Sequence, residues 1–377
     1  MHQETLCVHN GTYHDSATRG VNTPIFTSSS FEYLDRENCP YPRYFNTPNQ
    51  DVVVRKMSSL EAGEDGVLFS SGMAAMSTTV LAFAGSGDHV VLLDELYGGT
   101  HAFATDTFDR LGIQYSFAAT DADAVIQAAT QATKVIIIES PTNPLLGIID
   151  IRRVAEFAKA RGITTIIDNT FATPVNQRPL SLGIDVVIHS GTKYLGGHSD
   201  LCCGIAITSH EYADKIRAMA RHLGGSLNAI TCYLLERSLK TLAIRVERQT
   251  RNAHRIAEFL DSHNCVTKVN YPGLPNSRGH AVARSQMTGF GGMLSFELNE
   301  QRVSTKAFLR RLRMIRPAVS LGGVESIICA PSETSHAKIS SEERRRIGIN
   351  DSLLRLSVGI EHEDDIIEDI SQALNER

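Results

Sequence analysis

Four short stretches of this chain hold residue types that could act together on an organic substrate, and each follows a run of β-forming residues. Ser70-Ser71-Gly72-Met73-Ala74-Ala75 is the first. Its glycine lets backbone approach an anion closely, and a helix opening there offers free N–H groups and a favourable dipole. It is not a Walker loop, because Gly-x-x-x-x-Gly-Lys is absent. Asp168-Asn169-Thr170 is the second, closing Ile163-Thr164-Thr165-Ile166-Ile167. A carboxylate at a buried strand end is costly unless something pairs with it, and a protonated pyridine nitrogen could be that partner. The third, His189-Ser190-Gly191-Thr192-Lys193-Tyr194, sets two hydroxyls and a glycine beside a lysine. A desolvated lysine has a lowered pKa and can form a Schiff base. Tyr97-Gly98-Gly99-Thr100 is the fourth, where paired glycines leave the tyrosine ring room to lie over a flat ligand.

Each stretch alone reads as an ordinary turn, cap or surface lysine. Together they supply an anion cradle, a stacking ring, an acid for a pyridinium and an amine for a Schiff base. That set meets the demands of pyridoxal 5'-phosphate.

The elements that must position these groups can be read from periodicity. Strands are expected at 67–69, 89–94, 113–117, 134–139, 163–168, 184–189 and 204–208. Several are continuous apolar runs such as Val135-Ile136-Ile137-Ile138, as in strands covered on both faces. Helix-like segments lie between them near 72–84, 99–111, 121–131 and 151–161, with Asp121 as an N-cap. The alternation implies an α/β fold, a mostly parallel sheet with helices on both faces. Ligands then bind beyond the carboxyl ends of the strands, where all four stretches fall. After about residue 235 the pattern changes to a long charged helix at 239–261, strands at 292–298 and 353–358, and helices at 305–313 and 364–374. This reads as a smaller α+β C-terminal domain. The expected organisation is an arm over 1–45, a cofactor domain over 46–235 and the smaller domain over 236–377. Phe26, Phe31, Tyr33, Tyr41 and Tyr44 are aromatics that could anchor the arm.

Composition narrows the classes. The chain has 377 residues, is 42% apolar and carries a formal net charge of −5. That charge gives no electrostatic case for a nucleic-acid or membrane-surface partner. Its longest apolar run, 201–207, is far below the roughly 20 residues of a membrane helix. The N-terminus lacks the pattern of a secretory signal. Seven scattered cysteines without a Cys-x-x-Cys pair suit a reducing, cytoplasmic setting. Cys202-Cys203 reads as strand filler. No His/Cys spacing suggests a metal site.

The sequence resembles the Cys/Met-metabolism (trans-sulfuration) family of pyridoxal-phosphate enzymes, which includes cystathionine γ-synthases and cystathionine lyases. The stretch from His189 to Asp200 is similar to the family's lysine signature. Supporting matches are the four stretches above, Pro141-Thr142-Asn143-Pro144, Ser320-Leu321-Gly322-Gly323-Val324-Glu325-Ser326 and Leu354-Arg355-Leu356-Ser357-Val358-Gly359. The resemblance implies the fold of a type I pyridoxal-phosphate enzyme. It implies that Lys193 holds the cofactor as an internal aldimine and then moves protons, while Asp168 pairs with the pyridine nitrogen. Tyr97 would stack on the ring and act on the substrate. Ser71, Gly72, Met73, Thr170, Ser190 and Thr192 would bind the cofactor, chiefly its phosphate. Asn143 would lie near the ring hydroxyl and the substrate carboxylate, which Arg355 and Ser320 would clamp. Tyr41 and Arg43 would reach a neighbouring subunit's cofactor, in a homodimer or homotetramer with shared sites.

Three departures stand out. Tyr41-Pro42-Arg43-Tyr44-Phe45-Asn46-Thr47-Pro48 alters the family's turn after the arginine. Gly191 stands where alanine is common. Pro331-Ser332-Glu333-Thr334-Ser335-His336 lacks the usual methionine and threonine before the histidine. The core motifs serve β-elimination, γ-elimination and γ-replacement alike. Gly99, where methionine γ-lyases carry cysteine, and Val319, where many γ-synthases and γ-lyases carry glutamate, favour a C–S lyase acting on cystathionine or a related thioether. γ-Replacement on an O-acylhomoserine is the alternative. A catalytically silent fold relative is the remote one, opposed by the joint presence of Lys193, Asp168, Tyr97 and Arg355.

Overall fold

A computed structural model describes residues 1–334 and 341–375, without the side chains of Ser341 and Glu343. Two sheets organise the chain. The larger is formed by β1 (Asp65–Phe69), β2 (His89–Leu93), β3 (Gln114–Ala118), β4 (Thr133–Glu139), β5 (Thr164–Asp168), β6 (Val186–Ser190) and β7 (Gly204–Thr208). Their order across the sheet is β1-β7-β6-β5-β4-β2-β3. Five neighbours, β6 to β3, pair in parallel, and β7 runs antiparallel to both β6 and β1. The expected strands are all present, with ends shifted by one or two residues.

Alternation shows why the strand sequences are apolar throughout. Val67 and Phe69 of β1 and Ala206 of β7 join one hydrophobic cluster, while Leu68, Ile205 and Ile207 join another on the opposite face. The helix Gly72–Phe83 packs against the first face, and the helix Pro48–Glu61 against the second. The latter begins with Pro48 at its first position, and Gln50 accepts the Thr47 N–H at 3.0 Å. The expected helix at 99–111 is present but is interrupted by a π turn at Ala104–Phe108. Asp121 caps Ala122–Ala128, accepting from the N–H groups of Asp123 and Ala124.

The second sheet has the order β10-β11-β12-β9-β8, from β8 (Val266–Asn270), β9 (Met293–Leu298), β10 (Arg316–Pro317), β11 (Ile327–Cys329) and β12 (Leu353–Ser357). All its pairings are antiparallel except β10 with β11. The helix at its back, Leu242–Asp261, starts three residues later than the expected 239. The preceding helix ends at Leu239, leaving Lys240 and Thr241 as a break.

The first 45 residues are less irregular than their sequence suggests. Helix Gln3–His9 buries Cys7, and the wholly buried Lys56 donates from Nζ to Cys7 O at 2.9 Å. Burial of that ammonium pulls its pKa down to about 8. Beyond the helix, Val21, Tyr33 and Leu34 are exposed. No helix among the described residues is long and apolar enough to cross a membrane.

Candidate active site

A cavity of about 510 Å³ opens at the carboxyl ends of the parallel strands, with the second sheet closing one side. Ser71, Gly72, Met73, Tyr97, Asn143, Asp168, Thr170, Ser190, Thr192, Lys193, Ser320 and Arg355 all line it. Residues scattered over some 285 positions of sequence thus meet in one place.

The anion cradle forms where β1 turns into helix Gly72–Phe83. Ser71 caps that helix, its Oγ accepting the Ala74 N–H at 3.0 Å. The turn lies so close to β7 that a Cβ on Gly204 would sit 2.1 Å from Ser71 O, and one on Gly72 would sit 2.8 Å from Ser190 Cβ. Only glycines permit that approach, which leaves the first N–H groups of the helix facing the cavity edge beside Ser190 and Thr192. The Thr192 hydroxyl also exchanges hydrogen bonds with the Cys203 main chain, at 3.2 and 3.1 Å.

Asp168 ends β5 as expected. Thr170 donates its N–H to Asp168 Oδ1 at 3.0 Å, and its hydroxyl also binds the carboxylate. Burial pushes the Asp168 pKa up, while Thr170, His189 and Lys193 pull it back. The Lys193 amine donates to Ser320 Oγ at 2.9 Å. Its pKa is lowered, first by burial and then by the Arg355 guanidinium.

Arg355 projects from the middle of β12 and is 4% exposed. Nη1 donates to Asn143 Oδ1 at 2.9 Å and Nη2 to Ser320 O at 3.1 Å. Its Nε has no partner among the described residues. This guanidinium therefore still has a donor to offer a planar anion. Ser320 holds both cations in place, with a positive φ of 79° that few non-glycine residues adopt. Such backbone costs about 1–3 kcal/mol and is concentrated at functional sites.

Glu139 was missed. It ends β4 directly beside Asp168 in register and lines the cavity. Glu139 Oε2 accepts the Tyr97 N–H at 2.9 Å, and the Asn143 N–H also reaches the carboxylate. Burial, and then the Asp168 charge, push its pKa well up. The strand-end rule that selects Asp168 selects Glu139 equally. Met76, Phe171, Val319 and Leu321 form apolar parts of the lining. Cys202 corrects a second expectation: it precedes β7 in an irregular segment, is exposed and lines the cavity, whereas Cys203 is buried.

Tyr41 and Arg43 are not brought to this cavity. Arg43 donates from Nη1 to Arg221 O at 2.7 Å and lies over the Tyr41 and Tyr44 rings, 5.7 and 5.2 Å from their centroids. Of the altered segment 331–336, Glu333 and Thr334 line the cavity, and Ser335 and His336 lie outside the described residues.

The donor set fits a flat phosphorylated pyridine: a cradle open to backbone N–H groups, a buried carboxylate, a lysine amine and a partly exposed tyrosine ring beside Gly99. Comparison with known proteins agrees. Residues 4–375 match the family described as Cys/Met metabolism PLP-dependent enzyme, and the chain belongs to that family. It is therefore a pyridoxal-phosphate-dependent enzyme of sulfur amino-acid metabolism, of the trans-sulfuration type. The cystathionine gamma-lyase of Bacillus subtilis (strain 168) is 44% identical over 99% of each chain. The cystathionine gamma-synthase of Mycobacterium leprae is 40% identical over 98% of this chain and 96% of its own. A crystal structure of cystathionine gamma synthase from Xanthomonas oryzae pv. oryzae in complex with cystathionine superposes with a TM-score of 0.96 at 37% identity, covering 99% and 98%.

Proposed function

We propose that this chain is a C–S lyase that eliminates a thiol from cystathionine or a related thioether amino acid. The observation that carries the reading is the wall facing Lys193. There the uncharged Val319 stands next to Ser320, and Leu321 adds apolar surface suited to a thioether, with Met76 of helix Gly72–Phe83 adding more elsewhere in the lining.

The residues divide the work as follows. Arg355, held by Asn143 and Ser320, offers its free donor to the substrate α-carboxylate and fixes Cα over the cavity floor. Bound pyridoxal phosphate supplies an electron sink for charge developing at Cα. Asp168 pairs with the ring nitrogen and holds it protonated, with Thr170, His189 and Lys193 opposing the upward push of burial on its carboxyl. Lys193 Nζ takes the Cα proton, because burial and Arg355 raise the share of free amine at neutral pH. Ser320 Oγ aims that amine. Tyr97 covers the ring, its main chain held by Glu139. Ser71, Gly72, Met73, Ser190 and Thr192 hold the phosphate. We place Tyr41 and Arg43 at a neighbouring subunit's phosphate, in a dimer or tetramer. Their position outside their own cavity, with the exposed Tyr33 and Leu34 nearby in sequence, supports that reading. Seven free cysteines support a cytoplasmic setting.

Product analysis tests the reading. Pure enzyme given cystathionine yields pyruvate, ammonia and homocysteine by β-elimination, or 2-oxobutanoate, ammonia and cysteine by γ-elimination. No turnover of cystathionine, with condensation of an O-acylhomoserine and cysteine instead, replaces the lyase reading by γ-replacement.

A further inference from the structure

Behind the Asp168 carboxylate lies a second polar cluster that the chemistry above does not use. Strand alternation produces it. Asp168, Thr170 and Ser190 line the cavity, so their chain neighbours Asn169 and His189 turn to the opposite face. There the helix Pro48–Glu61 ends. Glu61, His189 and Asn169 are each 0% exposed. His189 Nε2 lies 2.5 Å from Glu61 Oε1, and Asn169 Nδ2 donates to the same oxygen at 3.0 Å. Gln177 Nε2 donates to Asn169 Oδ1 at 3.0 Å and to Ser140 O at 2.8 Å. The main chain ties front to back: Asn169 N donates to Ile188 O at 2.9 Å, and Ser190 N to Thr170 Oγ1 at 2.8 Å.

A pair of ionisable groups is a poor choice for stability alone in such a place. Well-packed apolar residues would serve as well or better. The pair is not closed either: His189 Nδ1 and Glu61 Oε2 have no partner among the described residues, and buried unsatisfied groups call for an explanation. The location supplies one. His189 acts to lower the proton affinity of the Asp168 carboxyl, against the push of burial.

We propose that Glu61 and His189 form a buried hydrogen-bonded pair that tunes Asp168 from behind the sheet. Glu61 fixes and polarises the imidazole, and the field of the pair acts on Asp168, which faces the pyridine nitrogen of the cofactor. Both are positioning residues, since neither lines the cavity. The inference rests on the assignment of Asp168 to that nitrogen. The other charged groups acting on the carboxylates here are Lys193 on Asp168, and Arg355 on the adjacent Glu139. All three stay in place in the variants below.

In His189→Gln the amide can still donate to Glu61 but carries no charge. Apoenzyme is titrated with pyridoxal phosphate to obtain Kd, the visible band of the bound cofactor is recorded, and thermal unfolding is followed in parallel. The expected result is a Kd raised about tenfold, the equivalent of one pKa unit, with an altered visible band. Glu61→Gln moves both readouts in the same direction and stands in if His189→Gln misfolds. In an Asp168→Asn background, His189→Gln adds no further change in Kd. Wild-type Kd and band in both single variants overturn the coupling, whatever unfolding shows. So does an undiminished His189→Gln effect in the Asp168→Asn background. If Asp168→Asn itself changes neither readout, the Asp168 assignment falls and the coupling with it. If Asp168→Asn changes both and His189→Gln neither, the coupling alone falls.

Discussion

The floor and the wall of the cavity are built by different means. The floor consists of strand ends of the larger sheet and the turns that follow them: Ser71 after β1, Glu139 at β4, Asp168 at β5, Ser190 at the end of β6 and Lys193 after it. Its polar groups are backed by further hydrogen bonds to Thr170, Cys203 and the Tyr97 main chain. The wall comes from the second sheet and its connections: Val319, Ser320, Glu333, Thr334 and Arg355. Apart from Arg355 and the short 3₁₀ turn Pro331–Glu333 it is irregular chain, with Val319 68% exposed. A rigid sheet holds a cofactor to fractions of an ångström, whereas loops vary at small structural cost. On the proposed reading the floor supplies the chemistry shared by the family, and the wall selects the substrate.

The largest effects are expected on the floor. Lys193→Ala removes the amine that moves the Cα proton, and kcat should fall by about 10⁴-fold. The visible band of the protein with its cofactor should be lost too. A wild-type band in that variant would break the assignment of the lysine.

Arg355→Gln comes next, because Arg355 bridges floor and wall. Truncating a buried, hydrogen-bonded charge costs about 2–5 kcal/mol, so kcat/KM should drop by about 10²-fold or more. It also carries a pH signature. The guanidinium is the second cause of the lowered Lys193 pKa. Without it the amine holds its proton more tightly, and the rise of kcat with pH moves to higher pH. A profile that stays put, or moves down, would show that Arg355 and Lys193 do not share a field.

The same division explains what could be read from the chain. Asp168 and Lys193 are legible because a strand end is a local feature: an apolar β run stops and polar residues begin. Glu139 follows that rule too, yet nothing local distinguishes an acid beside the site from a capping acid. Arg355 stands in the centre of a strand whose neighbours are all buried, so periodicity alone would assign it to an error or an edge; only the family motif singled it out. Ser320 combines a positive φ with bonds to Lys193 and Arg355, partners distant in sequence that no local signal encodes. The two-residue strand β10 lies below any period, and β8 presents partly exposed residues without clean alternation. The helix at 3–9 is held by Lys56, some fifty residues away.

Ser320→Ala tests the junction directly. It deletes the hydroxyl that aims the lysine and leaves the carbonyl that binds Arg355. One lost hydrogen bond of about 1.5 kcal/mol predicts a kcat roughly tenfold lower. Cofactor affinity should be unchanged, because the floor is untouched. A loss of cofactor affinity instead would mean that the floor depends on the wall.

The smallest effect is expected at Glu333, and it bears most directly on specificity. Of the three carboxylates that line the cavity among the described residues, Asp168 and Glu139 lie at strand ends of the floor and Glu333 lies in the wall, the proposed place of the substrate's outer end. It is exposed, and exposed charges are screened to about 0.2–1 kcal/mol. Cystathionine has a second ammonium at its far end; a simple S-alkyl cysteine has none. Glu333→Gln should therefore raise KM for cystathionine about threefold, leave kcat alone, and leave KM for the S-alkyl cysteine unchanged. The difference should shrink in high salt, as an exposed charge pair requires. Equal changes for both substrates would mean that Glu333 acts through the shape of the wall, and the division into a charged floor and a substrate-reading wall would lose its outermost member.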